Sequence, residues 1–382
     1  MKKIVIFILS FIIFSSGLPM KSFADLDPNS ISASSAVVIC ADNGKVLFEK
    51  NAYEKRSMAS TTKIMTALLA LEAADAEDRD ISITNKMILV EGSSMGLKEG
   101  NILPISSLAK GMLTVSGNDA ANAVAISLGG SLELFSDMMN EKAKQIGMQD
   151  THFVTPSGLD DKEHYSTAYD MALLGAYAID NNSFLDICSS KKVDVLFKEP
   201  YQTRAFYNEN RMLKRYEGCI GIKTGFTKTS GRCLVSAAKR NNLCLVAVTL
   251  NAPDDWNDHE KLLDYGFSAA ESLIFEDEKE ILNIPLVGSS SEFIEVSTKS
   301  PTKVIINRGC KDKLEKKVYA PKFIYAPVFK DQVIGKIEYT LNGKVVAQND
   351  LFIKDNFSYE MKKNKFFLKF GNCFKKWFFI FK

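Results

Sequence analysis

The sequence predicts an α+β fold, an antiparallel sheet carrying a helical block, followed by a small all-β domain. Three observations point to it. Strand-like runs open and close the first two thirds of the chain, helical periodicity fills the stretch between them, and from Ile284 onward only short alternating strands remain. With 382 residues, 46% hydrophobic and 25% charged, the chain has material for one large domain and a smaller one.

Ala36-Val37-Val38-Ile39, then Asp42-Asn43-Gly44, then Val46-Leu47-Phe48 reads as a hairpin whose glycine supplies the positive φ of the turn. After Ser60, residues 61–74 are apolar on nearly every face, the pattern of a helix buried all round. Further helical patterns cover 105–113, 119–128, 132–146 and 167–179. Three strand-like runs follow at 218–224, 232–239 and 243–250, then a helix over 258–273. Near the end, strands around 334–339 and 344–348 flank Asn342-Gly343, a hairpin signal. These patterns place the first domain at 25–283 and the β-rich one at 284–357.

Both ends carry targeting features. Residues 1–24 join Lys2 and Lys3 to an apolar run and end in Ser22-Phe23-Ala24, the form of a secretory signal peptide cleaved after Ala24. Residues 358–382 read as a basic amphipathic membrane-anchor helix. Between Lys362 and Lys382 there are seven lysines and no acidic residue, and helical spacing gathers Lys365, Lys369, Asn372 and Lys376 into one stripe amid aromatics. A spanning helix needs about 20 mostly apolar residues, and Lys369, Lys375 and Lys376 interrupt this one, so it should lie in the interface. The chain is thus expected on the outer face of the cytoplasmic membrane.

The formal charge of +2 conceals a split: apart from Lys2, Lys3, Lys21 and the tail lysines, 38 basic residues face 46 acidic ones, a body near −8. An acidic body on a basic tail suits anionic lipid and excludes nucleic acid as a partner. The seven cysteines are scattered, odd in number and without C-x-x-C spacing, which speaks against a disulfide framework or a zinc site; no metal or other cofactor is expected. Only three histidines (His152, His164, His259) are available to a Ser-His-Asp mechanism.

Ser60-Thr61-Thr62-Lys63 offers another. A hydroxyl and an amine three residues apart at a helix start share one face. Serine needs a base to become nucleophilic, and lysine can be that base where burial disfavours its charged form. The spacing alone is weak, since Ser107 to Lys110, Ser189 to Lys192, Ser236 to Lys239 and Ser300 to Lys303 repeat it. What selects Ser60 and Lys63 is company. In Ser116-Gly117-Asn118, Ser116 can relay protons and Asn118 can orient substrate. In Lys223-Thr224-Gly225, Lys223 and Thr224 can hold a carboxylate while Gly225 leaves room for a substrate strand.

With Met58-Ala59-Ser60-Thr61-Thr62-Lys63-Ile64-Met65-Thr66-Ala67, Thr114-Val115-Ser116-Gly117-Asn118-Asp119-Ala120, Pro156-Ser157-Gly158-Leu159, Tyr165-Ser166-Thr167-Ala168 and Gly221-Ile222-Lys223-Thr224-Gly225-Phe226-Thr227, the chain resembles the serine-type D-alanyl-D-alanine carboxypeptidases, the low-molecular-mass penicillin-binding proteins. The likeness covers roughly residues 30–275. It implies a serine β-lactamase/penicillin-binding-protein-like first domain in which Ser60 attacks the bond between two D-alanines of a peptidoglycan stem peptide. An acyl-enzyme forms, D-alanine leaves and water releases the shortened peptide. The backbone N–H groups of Ser60 and Phe226 would be the oxyanion donors, and β-lactams would act as inhibitors by acylating Ser60. Three other readings share the site: a D,D-endopeptidase, a β-lactamase with Glu163 as the nearest acidic group to activate water, and a non-catalytic penicillin-binding sensor.

Overall fold

A computed structural model of the chain describes residues 26–360, so the signal-like segment 1–24 and all but the first three residues of the expected anchor helix 358–382 lie outside the described residues; residues 358–360 are not helical. Strand β1 (Ser35–Cys40) turns through Gly44, at φ +67°, into β2 (Val46–Lys50), the anticipated hairpin. A 3₁₀ turn (Ala59–Thr62) runs into α1 (Lys63–Ala76). The pair β3 (Asp80–Ser82) and β4 (Ile102–Pro104) brackets α2 (Asn85–Ile88). Helices α3 (Ile105–Val115), α4 (Asn118–Gly129), α5 (Leu132–Ile146), α6 (Ala168–Ala178) and α7 (Asn182–Ser189) complete the helical block. Hairpin β5 (Lys192–Phe197) and β6 (Gln202–Tyr207), with α8 (Met212–Arg215), leads back to the sheet as β7 (Cys219–Thr227), β8 (Gly231–Arg240) and β9 (Leu243–Leu250). Helix α9 (Asp255–Ala269) closes this part.

The sheet is antiparallel in the order β2-β1-β9-β8-β7. Its central strands β1 and β9 are buried at every position because both faces are covered. Alternate side chains divide between two cores. Val37, Ile39, Val246, Val248 and Leu250 face the helical block, whereas Ala36, Val38, Leu245 and Ala247 join the layer that includes Leu262 and Leu263 of α9. Helix α1 is sunk among its neighbours: Ile64, Met65, Ala67, Leu68 and Ala70 are all fully buried. Gly175 lets α6 lie directly on the sheet, since a Cβ there would meet Ile222, Val235 and Val246 at 3.1 Å.

The helix expected over 258–273 starts earlier, at Asp255, and stops at Ala269. Residues Ala270–Phe275 are instead strand β10, taken by tertiary pairing with β13 (Thr302–Asn307), so β structure begins ahead of 284. Strands β11 (Leu282–Val287) and β12 (Phe293–Ser297) precede β13, and β14 (Leu314–Tyr319), β15 (Ile324–Tyr325), β16 (Val333–Leu341) and β17 (Lys344–Ile353) follow it. Six of these form a sheet in the order β14-β16-β17-β12-β11-β15. The buried Asp277 carboxylate ties this part together, accepting from Thr302 Oγ1, from Tyr339 Oη at 2.9 Å and from Lys316 Nζ at 2.7 Å. The six described cysteines are free thiols; Cys40, Cys188, Cys233 and Cys244 are buried, packed as small hydrophobes.

Candidate active site

Ser60 sits in the 3₁₀ turn that feeds α1, and that turn is held in an unusual shape. Ala59 has φ +48°, a left-handed conformation that costs an L-residue about 1 kcal/mol or more unless its surroundings impose it. Three contacts impose it. Gly158 packs so tightly that a Cβ would lie 1.9 Å from Ala59 O. Thr62 Oγ1 donates to Ala59 O at 2.8 Å, and His164 Nε2 lies 2.8 Å from the same hydroxyl. Because His164 Nδ1 accepts from Val154 N at 2.9 Å, its proton is on Nε2, and burial pushes the imidazole down to about 4, so it stays neutral. His259, bonded to Ser236 and Thr249, is pushed down by burial to about 3, and His152 Nδ1 bonds Glu163 O. The histidines are committed away from Ser60.

Lys63, the first residue of α1, places Nζ 2.8 Å from Ser60 Oγ and donates to Ser157 O at 2.7 Å. It is 0% exposed. Desolvation first, then the nearby charge of Lys223, hold its pKa well below the ordinary lysine value, with Asp119 and Glu209 opposing. No other Ser-x-x-Lys lysine is buried: Lys110 and Lys303 are half-buried, Lys192 and Lys239 exposed. The neutral amine against a hydroxyl is the arrangement proton abstraction from Ser60 requires.

The second motif forms the corner between α3 and α4. Ser116 ends α3 at φ +60° and is nearly buried, and Gly117 allows the close approach that follows, since a Cβ there would lie 2.8 Å from Asp119 Oδ1 and 3.0 Å from Met95 N. Asn118 begins α4; its N–H donates to Ser93 O at 2.7 Å and its Nδ2 to Glu91 O at 2.5 Å, leaving Oδ1 buried without a partner. Asp119, to which the motif alone assigns no role, clamps the loop above the site. Its carboxylate accepts from Met95 N, Gly96 N and Leu97 N at 2.9, 3.1 and 3.0 Å, and from Ser94 Oγ. An acid directly after Ser-Gly-Asn at a helix start was the available signal.

The third motif lies on β7, the terminal strand of the sheet, beside the 3₁₀ turn. Lys223 is buried, donates to Thr224 O at 2.9 Å, and is pushed down to about 8 by desolvation. Gly225 is what lets β7 reach the nucleophile, because a Cβ there would sit 3.0 Å from Ser60 N and from Thr61 N. Ser60, Ser116, Thr224, Gly225 and the exposed Phe226 line one cleft of about 540 Å³, together with Ser93, Glu209, Arg211, Arg232 and residues Pro253, Asp254, Asp255 and Trp256. Lys63, Asn118 and Lys223 are buried and are not among the residues that line it. The charged wall beyond the motifs, including the Arg232–Asp255 pair at 3.0 Å, carried no local sequence signal. Glu163 is exposed and outside the cleft lining.

A nucleophilic serine with a buried lysine for its neighbour, set at the junction of a helical block and the edge strand of an antiparallel sheet, defines the class of Ser–Lys acyl enzymes. Comparison with known proteins narrows this. The D-alanyl-D-alanine carboxypeptidase family profile matches residues 22–254, and that of the penicillin-binding protein 5 C-terminal domain matches 271–358. The chain belongs to the D-alanyl-D-alanine carboxypeptidase family. It is 34% identical to the D-alanyl-D-alanine carboxypeptidase DacF of Bacillus subtilis, over 88% of each chain. It is 32% identical to DacC of Escherichia coli, over 91% of each. Penicillin-binding protein 5 from Haemophilus influenzae superposes with a TM-score of 0.70 at 29% identity, covering 87% of this chain and 99% of that one.

Proposed function

We propose that the chain is a serine D-Ala-D-Ala carboxypeptidase that removes the terminal D-alanine from peptidoglycan stem peptides through an acyl-enzyme on Ser60. The observation that carries this is Lys63 Nζ, fully buried and 2.8 Å from Ser60 Oγ. The neutral amine takes the hydroxyl proton as Oγ attacks the penultimate D-alanine carbonyl. The oxyanion is met by the backbone N–H groups of Ser60 and Phe226. Ser116 passes the proton to the departing amine, and D-alanine leaves. Lys223, charged at neutral pH, and Thr224 receive the terminal carboxylate, Gly225 leaves space for the peptide along β7, and the Asn118 side chain, bonded to Glu91 O, orients the substrate from the second motif. Water then attacks the ester and frees the enzyme. Penicillin enters by the same first step.

Intact-protein mass spectrometry should show one penicillin adduct, lost in Ser60→Ala, and D-alanine should appear from a peptide ending in D-Ala-D-Ala. An adduct that survives Ser60→Ala overturns the assignment. The chemistry takes place outside the cytoplasm on this reading: the signal-like 1–24 and basic aromatic 362–382 support export and attachment to an anionic membrane surface. Deleting residues 364–382 should release the protein from membranes with activity on soluble peptide intact, and retention would argue for an uncleaved N-terminal anchor.

A further inference from the structure

The outer face of the second domain carries apolar side chains where a soluble sheet would present polar ones. Inward residues of β11 and β12, Ile284, Leu286, Ile294 and Val296, form its core. The alternate positions point out: Pro285 and Phe293 are cross-strand partners, and Val287 is partnered by Tyr325 on β15. Phe323 packs edge-on against Tyr325 with ring centroids 5.5 Å apart. Phe293, Phe323 and Tyr325 are 51%, 51% and 65% exposed. The next pair along, Asn283 and Glu295, is polar and bounds the patch. Exposed Lys322 adjoins Phe323, and exposed Glu292 adjoins Phe293.

The chain leaves the described structure at the rim of this patch. Glu360 N donates to Gly288 O at 2.8 Å, one residue beyond Val287, and the Tyr359 ring lies against Gly288. Fully extended backbone spans at most about 3.6 Å per residue, so Lys362, where the basic aromatic segment starts, is within about 7 Å of Glu360. If that segment lies on a bilayer, the patch is held against the same surface.

We infer that the outer face of β12, β11 and β15 is a second lipid-contact surface, its aromatic side chains seated in the headgroup region of the membrane that the tail binds. Aromatic side chains favour that layer. The inference rests on the reading of 362–382 as a lipid-binding segment, and the two make different demands. Attraction of the tail lysines to anionic lipid is screened by salt, whereas burial of the patch is not.

Sedimentation of the full chain with vesicles of phosphatidylcholine, alone or mixed with phosphatidylglycerol, at low and high salt separates them. The combined variant Phe293→Ser, Phe323→Ser, Tyr325→Ser should bind about ten-fold more weakly, with the deficit persisting at high salt. The combined variant Lys365→Glu, Lys369→Glu, Lys376→Glu should lose binding chiefly to anionic vesicles at low salt. Undiminished acylation of Ser60 by penicillin and an unchanged melting curve confirm folding, and Phe323→Ser alone, expected to show a smaller loss of the same kind, serves if the triple change misfolds. Wild-type partition of the patch variants, with loss only in the lysine variant, overturns the inference and leaves the tail reading standing. Wild-type partition of both overturns both. A patch variant that changes only the self-association of the lipid-free chain makes the face a contact between copies and also overturns it.

Discussion

Replacing Gly225 with alanine tests whether the edge strand and the nucleophile's turn are fitted to each other. The added methyl would stand 3.0 Å from Ser60 N, 3.0 Å from Thr61 N and 3.2 Å from Ala59 Cβ. Comfortable non-bonded separations begin near about 3.5 Å, so β7 and the turn must part by roughly 0.5 Å. Two of the three obstructing atoms are backbone, and no side-chain rotation relieves them. Small-to-large changes in packed sites cost about 1 to 3 kcal/mol of stability. A reacting-group displacement near 1 Å can cost on the order of 100-fold in rate, so half that displacement should cost about ten-fold, or roughly 1.4 kcal/mol of transition-state stabilisation. The assay is the second-order rate of Ser60 acylation by a fluorescent penicillin, measured well below the melting temperature and beside a thermal unfolding curve. Acylation within two-fold of wild type would refute the reasoning, because the strain has nowhere to go except the amide that should meet the oxyanion.

Three further expectations follow from the same geometry. Acylation should rise with pH as Lys63, depressed by burial, loses its proton, and fall again near pH 8 as Lys223 loses its charge; Lys223→Arg should abolish the alkaline fall in the pH–rate profile. Asp119→Asn, which puts an amide donor among the N–H groups of Met95, Gly96 and Leu97, should cost about 2 to 3 kcal/mol by denaturant titration and slow acylation through a loosened loop. Asp277→Ala leaves the hydroxyls of Tyr339 and Thr302 without their carboxylate acceptor, and Lys316 with Glu280 alone, and should destabilise the second domain by about 2 to 4 kcal/mol while acylation of Ser60 is unchanged; hydrogen exchange confined to residues 270–360 would be the readout.

The sequence announced the fold wherever periodicity was local. The α1 pattern, apolar on every side, is a helix with protein on every side, and the β1–β2 turn is where Gly44 was expected to put it. It misread Ala270–Phe275, whose partner lies some thirty residues on at β13; pairing over that separation leaves no mark in a short window. The site divides in the same way. Ser60 and Lys63 share a face at a helix start, so their spacing encodes their contact. Gly158 against Ala59, Ser157 under Lys63 and Arg232 beside Asp255 meet only through tertiary folding, and nothing in their immediate neighbourhoods foretells it.

The nucleophile and its base ride on the helical layer, whereas Lys223, Thr224 and Gly225 ride on the last strand of the sheet. Chemistry here therefore happens across a seam, with Gly225 as the point where the two plates touch. Anything that lets the plates slide, such as warming, a thinned core or a ligand wedged along β7, spoils the alignment before it unravels either plate. Activity in such a molecule is a strain gauge for its own interior, and on heating the enzyme should fall silent while its secondary structure is still intact.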